Sequence, residues 1–226
     1  MRVVVSGATG TIGAAVVDAL RRRGDAVVAL SRNAERGRAR LGEGVDVRTW
    51  AEPTRVVPDA DALAGADAVV HLLGERIDQR WTAQAKREIR DSRVLSTRLL
   101  VQTLHAMPED GRPRTLVSQS ASGIYGDAGD RPLDESAPPG DDFLADVVVA
   151  WECEAQAAEP LLRVVRARTG VVLSPHGGAL LGCCRSSRRA SAAPWRADGN
   201  TSRGCTWMTS SERCCGASTT PRSQVR

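Results

Sequence analysis

The chain has 226 residues, of which 42% are hydrophobic and 26% charged, a composition typical of a globular protein with a sizeable core. Its net charge of +4 arises in residues 181–226, which hold 8 Arg against 2 acids; the rest is near neutral, and we expect no nucleic-acid partner. No apolar run approaches the ~18 residues of a membrane span, and the first residues lack a signal-peptide pattern. We therefore expect a cytoplasmic protein with no membrane partner.

The chain opens on a short apolar strand over residues 3–5, followed by a glycine-rich turn and an amphipathic helix. Gly7, Gly10 and Gly13 are three residues apart, a spacing that allows a tight turn, close approach of the backbone to a pyrophosphate, and close packing of the helix on the strand. The N–H groups at the helix start would face the phosphates. This pattern predicts a dinucleotide site, with a tight turn that binds no ligand as the alternative.

A second apolar strand, over residues 26–30, is followed by Ser31 and Arg32. In dinucleotide-binding folds this is the place where an acid binds the ribose 2′-hydroxyl, and here the acid is absent. A hydroxyl and a guanidinium suit a 2′-phosphate, because Arg binds phosphate bidentately. The sequence therefore favours NADP(H) over NAD(H), with a solvent-exposed Arg32 that binds nothing as the alternative.

Four further elements are predicted in the middle of the chain: a strand over 45–50, a helical turn over 61–65, a strand over 68–74, and a long helix over 82–107 that Pro108 ends. His71 lies in the fourth strand. Because no second His, Cys or acid cluster accompanies it, we expect a packed core residue and not a metal ligand. The basic residues of the long helix are typical of a solvated face, although Arg93 is placed to reach a phosphate.

A fifth strand opens over residues 115–118 and leads into a serine-rich segment that ends at Gly126. A polar loop over 127–142 then precedes a helix over 143–158 and a sixth strand over 162–173, broken at Gly170. Strands that alternate with helices predict a parallel sheet covered on both faces, with right-handed crossovers. Ligands of such sheets bind beyond the carboxyl ends of the strands, where the glycine and serine clusters fall.

Five segments occur in a fixed order along residues 1 to about 180: GATGTIG, DAVVHLLGE, IRDSRVLSTRLL, LVSQSASGIYGD and RTGVVLSPHGGAL. In this order the chain resembles the extended short-chain dehydrogenase/reductases, and more closely the atypical epimerase-family branch related to nucleotide-sugar epimerases. The resemblance implies a Rossmann-type, doubly wound α/β domain over residues 1–180 that binds NADP(H). It also implies a sugar-nucleotide-like or other small carbonyl or hydroxyl substrate.

The resemblance further implies which residues hold the cofactor. The implied contacts are Gly7, Thr9, Gly10, Thr11, Ile12, Gly13, Ser31, Arg32, Leu72, Leu73, Glu88, Arg93 and Val172. Among them, Leu72 and Leu73 would lie beneath the adenine and the nicotinamide ribose.

The catalytic part of the resemblance is incomplete. In most of that superfamily a Ser or Thr orients the substrate, and a Tyr aided by a Lys four residues on passes the proton while the nicotinamide passes hydride. Ser120 matches the serine position best, with Ser122 as the alternative. The Tyr-x-x-x-Lys element is absent from its expected place between Leu144 and Trp151, and the single tyrosine, Tyr125, is expected to be structural and not the proton donor.

Cofactor binding is therefore better supported than turnover, and two functions stay open. The first is an NADP(H)-dependent oxidoreductase or epimerase whose activity is impaired in this chain. The second is a non-catalytic NADP(H)-binding pseudoenzyme or redox sensor that acts on a partner.

Residues 181–226 differ from the rest of the chain: they are rich in Arg and Ser and hold five of the six Cys, without the paired spacing of a metal site. Family members continue instead into a substrate lobe with a segment like Trp-x-His-x-Asp-Asp. A shifted reading frame across residues 205–209 permits His-Leu-Asp-Asp. We interpret residues 181–226 as out-of-frame sequence that replaces this lobe, with a genuine Arg/Ser-rich extension as the alternative, and expect a segment of low order.

Overall fold

The computed structural model of the protein describes residues 1–174 and the backbone of residues 177–178. The segment over 181–226, with its predicted low order, lies outside the described residues. The helices and strands in chain order are β1 (Arg2–Ser6), α1 (Thr11–Arg22), β2 (Ala26–Ser31), α2 (Ala34–Leu41), β3 (Val45–Thr49), α3 (Ala60–Leu63), β4 (Ala68–His71), α4 (Ala83–Ala106), β5 (Thr115–Ala121), α5 (Phe143–Gln156), β6 (Arg163–Thr169), β7 (Leu173–Ser174) and β8 (Gly177–Gly178). Two 3-10 turns span Glu109–Gly111 and Ser122–Tyr125.

Six parallel strands form one sheet in the order β3-β2-β1-β4-β5-β6. This is the order of two βαβ-type halves that diverge between β1 and β4, and it confirms the predicted doubly wound, Rossmann-type sheet. At the carboxyl ends of these two strands, Ser6 is in register with His71. The chain leaves β1 and β4 in opposite directions along the sheet, so a crevice opens at this point.

The central strands serve two cores because their side chains alternate between the faces of the sheet. On one face Val4 and Val69 pack with Leu100 and Leu104 of α4. On the other face Val3, Val5 and Ala29 pack with Val17 of α1. Burial on both faces explains why these strands read as continuous apolar runs in the sequence.

Capping residues set the bounds of the long helix close to the prediction. Thr82 is the N-cap of α4, and its hydroxyl accepts a hydrogen bond from the N–H of Ala85 at 3.1 Å. Met107 is the C-cap, and Pro108 follows it. The helix predicted over 82–107 is therefore confirmed, with its first and last residues outside the helical turns.

Other elements differ from their predicted bounds. The fourth strand ends at His71, three residues early, and the sixth ends at Thr169, after which β7 pairs antiparallel with β8 in a separate small sheet. Helix α2 was not predicted, because it is strongly polar and buries only Gly37 and Leu41. Its sequence signal was the N-cap: the Asn33 side chain accepts from the N–H of Arg36 at 2.8 Å.

Within the described ranges, no helix combines the length and the apolar character that crossing a bilayer requires.

Candidate functional site

The three glycines of the opening motif lie at the junction of β1 and α1. Gly7 has a φ of +68°, and a Cβ there would stand 2.6 Å from the carbonyl oxygen of Leu72. A Cβ on Gly13 would overlap the carbonyl oxygen of Gly7, and the N–H of Gly10 closes the turn on that same oxygen at 2.9 Å. Within the turn, backbone atoms therefore pack against one another at van der Waals contact, with no space for a side chain. The outer surface of the turn is left open to a ligand.

Helix α1 begins without a side-chain cap. Its N-cap is Gly10, which offers no acceptor, and its first turn contains no acidic residue. The first N–H groups of a helix have no intrahelical partner, and the helix dipole adds positive potential at this end. Around this end Thr9, Thr11 and Ile12 are half-buried. An anion such as a diphosphate suits this arrangement of donors.

A second polar group lies at the carboxyl end of β2, next to β1. The Ser31 hydroxyl donates to the carbonyl of Asn33 at 2.9 Å and accepts from its N–H at 3.3 Å, which fixes the backbone after the strand. The guanidinium of Arg32 is exposed and makes no hydrogen bond or ion pair within the described part of the chain. Its donors are therefore available to an anion.

Two half-buried leucines, Leu72 and Leu73, directly follow β4. The N–H of Leu72 donates to the carbonyl oxygen of Ser6 at 3.2 Å, which ties this segment to β1. Leu72 packs against the α1 side of the sheet, and Leu73 packs against the α4 side. They present an apolar surface at the point where the two cores meet.

Arg93 is engaged within the protein. Its guanidinium donates to the carbonyls of Ile89 at 2.9 Å and Glu75 at 3.0 Å, and it lies 5.5 Å from the ring of Trp151. Burial lowers the pKa of Arg93. A Cβ on Gly74 would stand 3.0 Å from the guanidinium, so Arg93 supports the segment that follows β4. Its predicted contact with a phosphate stays a prediction.

The two outlying cofactor contacts also stay predictions. Glu88 is exposed on α4 and accepts from the side chain of Gln84 at 2.8 Å. Val172 is half-buried between β6 and β7.

The two candidate serines, Ser120 and its alternative Ser122, have different surroundings, and the role of either one stays a prediction. Ser120 is 1% exposed, and its hydroxyl donates to the buried carboxylate of Glu152 at 2.5 Å, so it points into the protein and not into the crevice. Ser122 begins the 3-10 turn after β5, is half-buried, and has no hydrogen bond to the described residues. Ser120 shares the buried face of Leu116 in β5, whereas Ser122 follows the last residue of the strand, Ala121, and so does not continue that face.

Glu152 and Arg168 form the centre of this buried network. Arg168 donates through Nε to Oε1 of Glu152 at 2.8 Å and through Nη2 to Oε2 at 2.9 Å. Burial raises the pKa of Glu152, but the hydrogen bonds from Arg168 and Ser120 and the charge of Arg168 outweigh it, and the net direction is downward. The hydrogen bond to Glu152 raises the pKa of Arg168. Both groups are therefore charged at neutral pH.

Tyr125 belongs to the same network, and the structural role expected for its phenol stays a prediction. Its oxygen accepts from Nη1 of Arg168 at 2.7 Å, and the guanidinium lies 5.3 Å from its ring centre. The stretch of α5 where a Tyr-x-x-x-Lys element would stand carries Val147 and Val148, both buried. The single lysine, Lys86, lies 5.0 Å from the ring of Phe143 and not beside the phenol.

His71 is completely buried, as expected of a core residue. Burial lowers its pKa to about 4, so the imidazole is neutral at neutral pH. Both ring nitrogens have hydroxyl partners: Nδ1 lies 2.7 Å from Oγ of Ser6, and Nε2 lies 3.3 Å from Oγ of Ser96.

An apolar cleft of about 620 Å³ lies between the segment over 49–60 and the last turns of α4. The sequence did not predict it, because its walls are 40 residues or more apart in the chain and carry no motif. Its lining includes no residue of the glycine turn and none of the other implied cofactor contacts.

Comparison with known proteins decides the family. The family model described as the NAD dependent epimerase/dehydratase family matches residues 3–185. The chain belongs to this family. The predicted family resemblance is thereby confirmed. The glycine turn and the crevice between β1 and β4 are parts of this epimerase-family fold.

Similar proteins come from distant organisms. An epimerase family protein SDR39U1 homolog of the chloroplast of Arabidopsis thaliana is 37% identical over 184 residues, which are 80% of this chain and 51% of that protein. An epimerase family protein of Mycobacterium bovis is 39% identical over 180 residues, or 79% of this chain and 56% of that protein. The chain thus spans about half the length of these curated relatives.

A solved structure of human epimerase family protein SDR39U1 with NADPH is also similar. It has a TM-score of 0.68 and 32% sequence identity, and the match covers 84% of this chain and 60% of the human chain. The Rossmann-type fold of the present chain is therefore shared with a family member whose crystals contain NADPH.

Proposed function

We propose that this protein binds NADP(H) at the crevice between β1 and β4. The observation that carries the proposal is the glycine turn, whose backbone leaves no room for side chains at Gly7 and Gly13 and whose helix start at Gly10 is uncapped. Such a start offers backbone donors to a diphosphate. The NADPH in the similar human structure supports the same cofactor here.

The polar groups after β2 account for the choice of cofactor. Ser31 has a fixed hydroxyl and Arg32 an unengaged guanidinium, which together suit the 2′-phosphate that NADP(H) carries and NAD(H) lacks. Leu72 and Leu73 would support the adenine and nicotinamide ribose from below, as apolar groups support flat ring systems.

The proposed activity is that of an oxidoreductase or epimerase of the extended short-chain class, impaired in this chain. NADP(H), when bound, supplies hydride chemistry. The group proposed to orient a carbonyl or hydroxyl of the substrate is a serine hydroxyl near the end of β5. It is that of Ser120, which is bonded to Glu152, or that of Ser122, which has no hydrogen bond to the described residues. Tyr125 lies in the 3-10 turn after β5 and not in α5, where the tyrosine of most of the superfamily would stand, so we assign it no proton transfer. The proposed substrate is sugar-nucleotide-like or another small carbonyl or hydroxyl compound.

A second candidate is a non-catalytic NADP(H)-binding protein that reports the redox state to a partner. The buried valines of α5 favour it, because they replace the proton-transfer pair while leaving the cofactor crevice intact. A location in the cytoplasm, as expected from the sequence, is part of the proposal.

Three measurements in sequence test these proposals. A titration that follows NADPH fluorescence, repeated with NADH, is expected to show saturable binding with NADPH preferred. A screen of carbonyl substrates that follows NADPH absorbance then detects an oxidoreductase, which consumes the cofactor. Product analysis of sugar nucleotides incubated with the protein detects an epimerase, which returns the hydride and leaves the absorbance unchanged. The non-catalytic candidate gives neither signal. Failure to bind either dinucleotide at millimolar concentration would refute both candidates.

A further inference from the structure

A continuous chain of buried hydrogen bonds runs from the glycine turn to helix α4 by way of His71. Ser6 is the register partner of His71 and immediately precedes Gly7. His71 meets the hydroxyl of Ser6 through Nδ1 and the hydroxyl of Ser96 through Nε2. Ser6, His71 and Ser96 are all completely buried, so water does not compete for these bonds. The imidazole therefore links β1 and β4, the two strands beside the crevice, to α4.

The direction of each bond follows from Ser96. Its hydroxyl donates to the carbonyl of Ser92 at 2.6 Å, so its oxygen accepts from the Nε2–H of His71. A neutral imidazole has one N–H, and Nδ1 must then accept the proton of the Ser6 hydroxyl. The Ser6 oxygen accepts in turn from the N–H of Leu72 at 3.3 Å. Each donor in this series of hydrogen bonds has an acceptor, and every bond is donated in the same direction, from Leu72 towards Ser92.

This chain ends on the groups that shape the cofactor crevice. Ser6 and Leu72 flank Gly7, and the Leu72 carbonyl is the group that a Cβ on Gly7 would strike. At the other end the hydroxyl of Ser92 accepts from the N–H of Glu75 at 2.9 Å, in the segment that Arg93 also supports. The turn before α1 is thus bonded to the imidazole through Ser6. The segment after β4 is bonded to Ser92, the residue of α4 on whose carbonyl the chain of hydrogen bonds ends.

We propose that His71 is a positioning residue for the diphosphate site, and that it holds the Gly7 turn against Leu72 through its Nδ1 bond to Ser6. The inference rests on the proposed NADP(H) function, but His71 itself contacts no cofactor. Its Nε2 bond serves only to anchor the ring to α4. A preformed turn costs less entropy on binding, so loss of the Nδ1 bond weakens cofactor affinity.

Two amide substitutions separate the halves of the imidazole. Asn places an amide oxygen close to the position of Nδ1 and can still accept from Ser6. Gln reaches the position of Nε2 and can still donate to Ser96, but it leaves Ser6 without its acceptor. Asn is the smaller residue and leaves the larger cavity, so a role in packing alone predicts that His71→Asn is the more damaging change.

The expected result is the reverse. His71→Asn is expected to bind NADPH nearly as well as the wild type, and His71→Gln about tenfold more weakly, which corresponds to one net hydrogen bond. Thermal unfolding shows that each variant is folded, and His105→Gln, at an exposed histidine of α4, serves as the neutral control. Ser6→Ala removes the same hydrogen bond from the other side and is expected to match His71→Gln.

Amide hydrogen exchange of the cofactor-free protein tests the positioning without any ligand. Exchange over residues 7–12 and at Leu72 is expected to be faster in His71→Gln and Ser6→Ala, and unchanged in His71→Asn. Equal effects of Asn and Gln, or a larger effect of Asn, would overturn the inference. If the wild type fails to bind NADPH while the exchange pattern holds, the proposed function fails and the positioning role stands.

Discussion

Arg168 and Glu152 form a bidentate ion pair in the interior, with N···O distances of 2.8 and 2.9 Å, and this pair joins the end of β6 to α5. The Glu152 side chain is 7% exposed and that of Arg168 is 21% exposed. The same guanidinium donates to Tyr125 and to the carbonyl of Glu135 in the polar loop. The side chains of a helix residue and a 3-10 turn residue and a backbone carbonyl of the loop therefore meet at the Arg168 cation of β6, beside the carboxyl edge of the sheet.

Glu152→Ala is expected to destabilise the protein by about 3 kcal/mol, because it leaves Arg168 partly buried without its counter-ion. Urea denaturation measures the free energy of unfolding. Glu154 is a matched control two residues along α5, since it also binds an arginine, Arg98, but at the surface, where Arg98 is 48% exposed. Glu154→Ala is expected to cost less than about 1 kcal/mol. Equal losses in the two variants would contradict the structural role of the buried pair.

The stability of the protein is expected to fall between pH 6.5 and pH 4 on account of His71. Its pKa is about 4 in the fold and 6.5 in the unfolded chain, so in this window the unfolded state binds a proton that the folded state does not. As far as it depends on His71, the free energy of unfolding is highest above pH 6.5 and is lower by about 2 kcal/mol at pH 5. Urea denaturation of the wild type and His71→Asn over this range measures the difference. A parallel pH dependence in the two proteins would show that His71 is not the titrating group.

Gly13→Ala is expected to have two effects of opposite sign on the free energy of unfolding, one from helix propensity and one from steric overlap. Helix propensity alone predicts stabilisation by about 1 kcal/mol, because Gly13 lies inside α1. The added Cβ would overlap the carbonyl oxygen of Gly7, and we expect this overlap to prevail, with a net loss of about 1–3 kcal/mol and loss of NADPH binding. Gly111→Ala is the control, since a Cβ there has ordinary contact with Pro108 at 3.7 Å and should change the stability by less than about 0.5 kcal/mol. A more stable Gly13→Ala protein that binds NADPH would contradict the tight turn.

The parts of the site that the sequence predicted are those encoded locally. The spacing of Gly7 and Gly13 and the run from Ser31 to Arg32 depend on neighbours within the same strand, turn and helix. The structure has Gly7 directly after β1, Gly13 in the first turns of α1, and Ser31 and Arg32 at the end of β2. The strand order was not predictable in this way, because it is set by which apolar faces meet after the chain folds. The same holds for the pairing of Glu152 with Arg168, which are 16 residues apart on different elements.

The orientation of Ser120 could have been found from the sequence. Leu116, Ser118 and Ser120 alternate along β5, and a leucine on that face marks it as the buried one. Helix α2 has no such pattern of apolar residues, so the N-cap residue Asn33 is its main sequence signal.

Arg32→Ala is expected to weaken the binding of NADPH by about tenfold to a hundredfold and to leave NADH unaffected. Only NADPH carries the 2′-phosphate, and a hydrogen bond to a charged group contributes about 1.5–3 kcal/mol. Fluorescence titration of each dinucleotide measures the two affinities. Arg40→Ala is the matched control, because it removes the same charge from an exposed residue of α2 that has no partner within the described residues. Arg32→Lys keeps the charge but lacks the bidentate guanidinium. Its affinity for NADPH should therefore lie between that of Arg32→Ala and that of the wild type. An equal loss for NADPH and NADH, or an equal loss in Arg40→Ala, would remove the assignment of the 2′-phosphate to the end of β2.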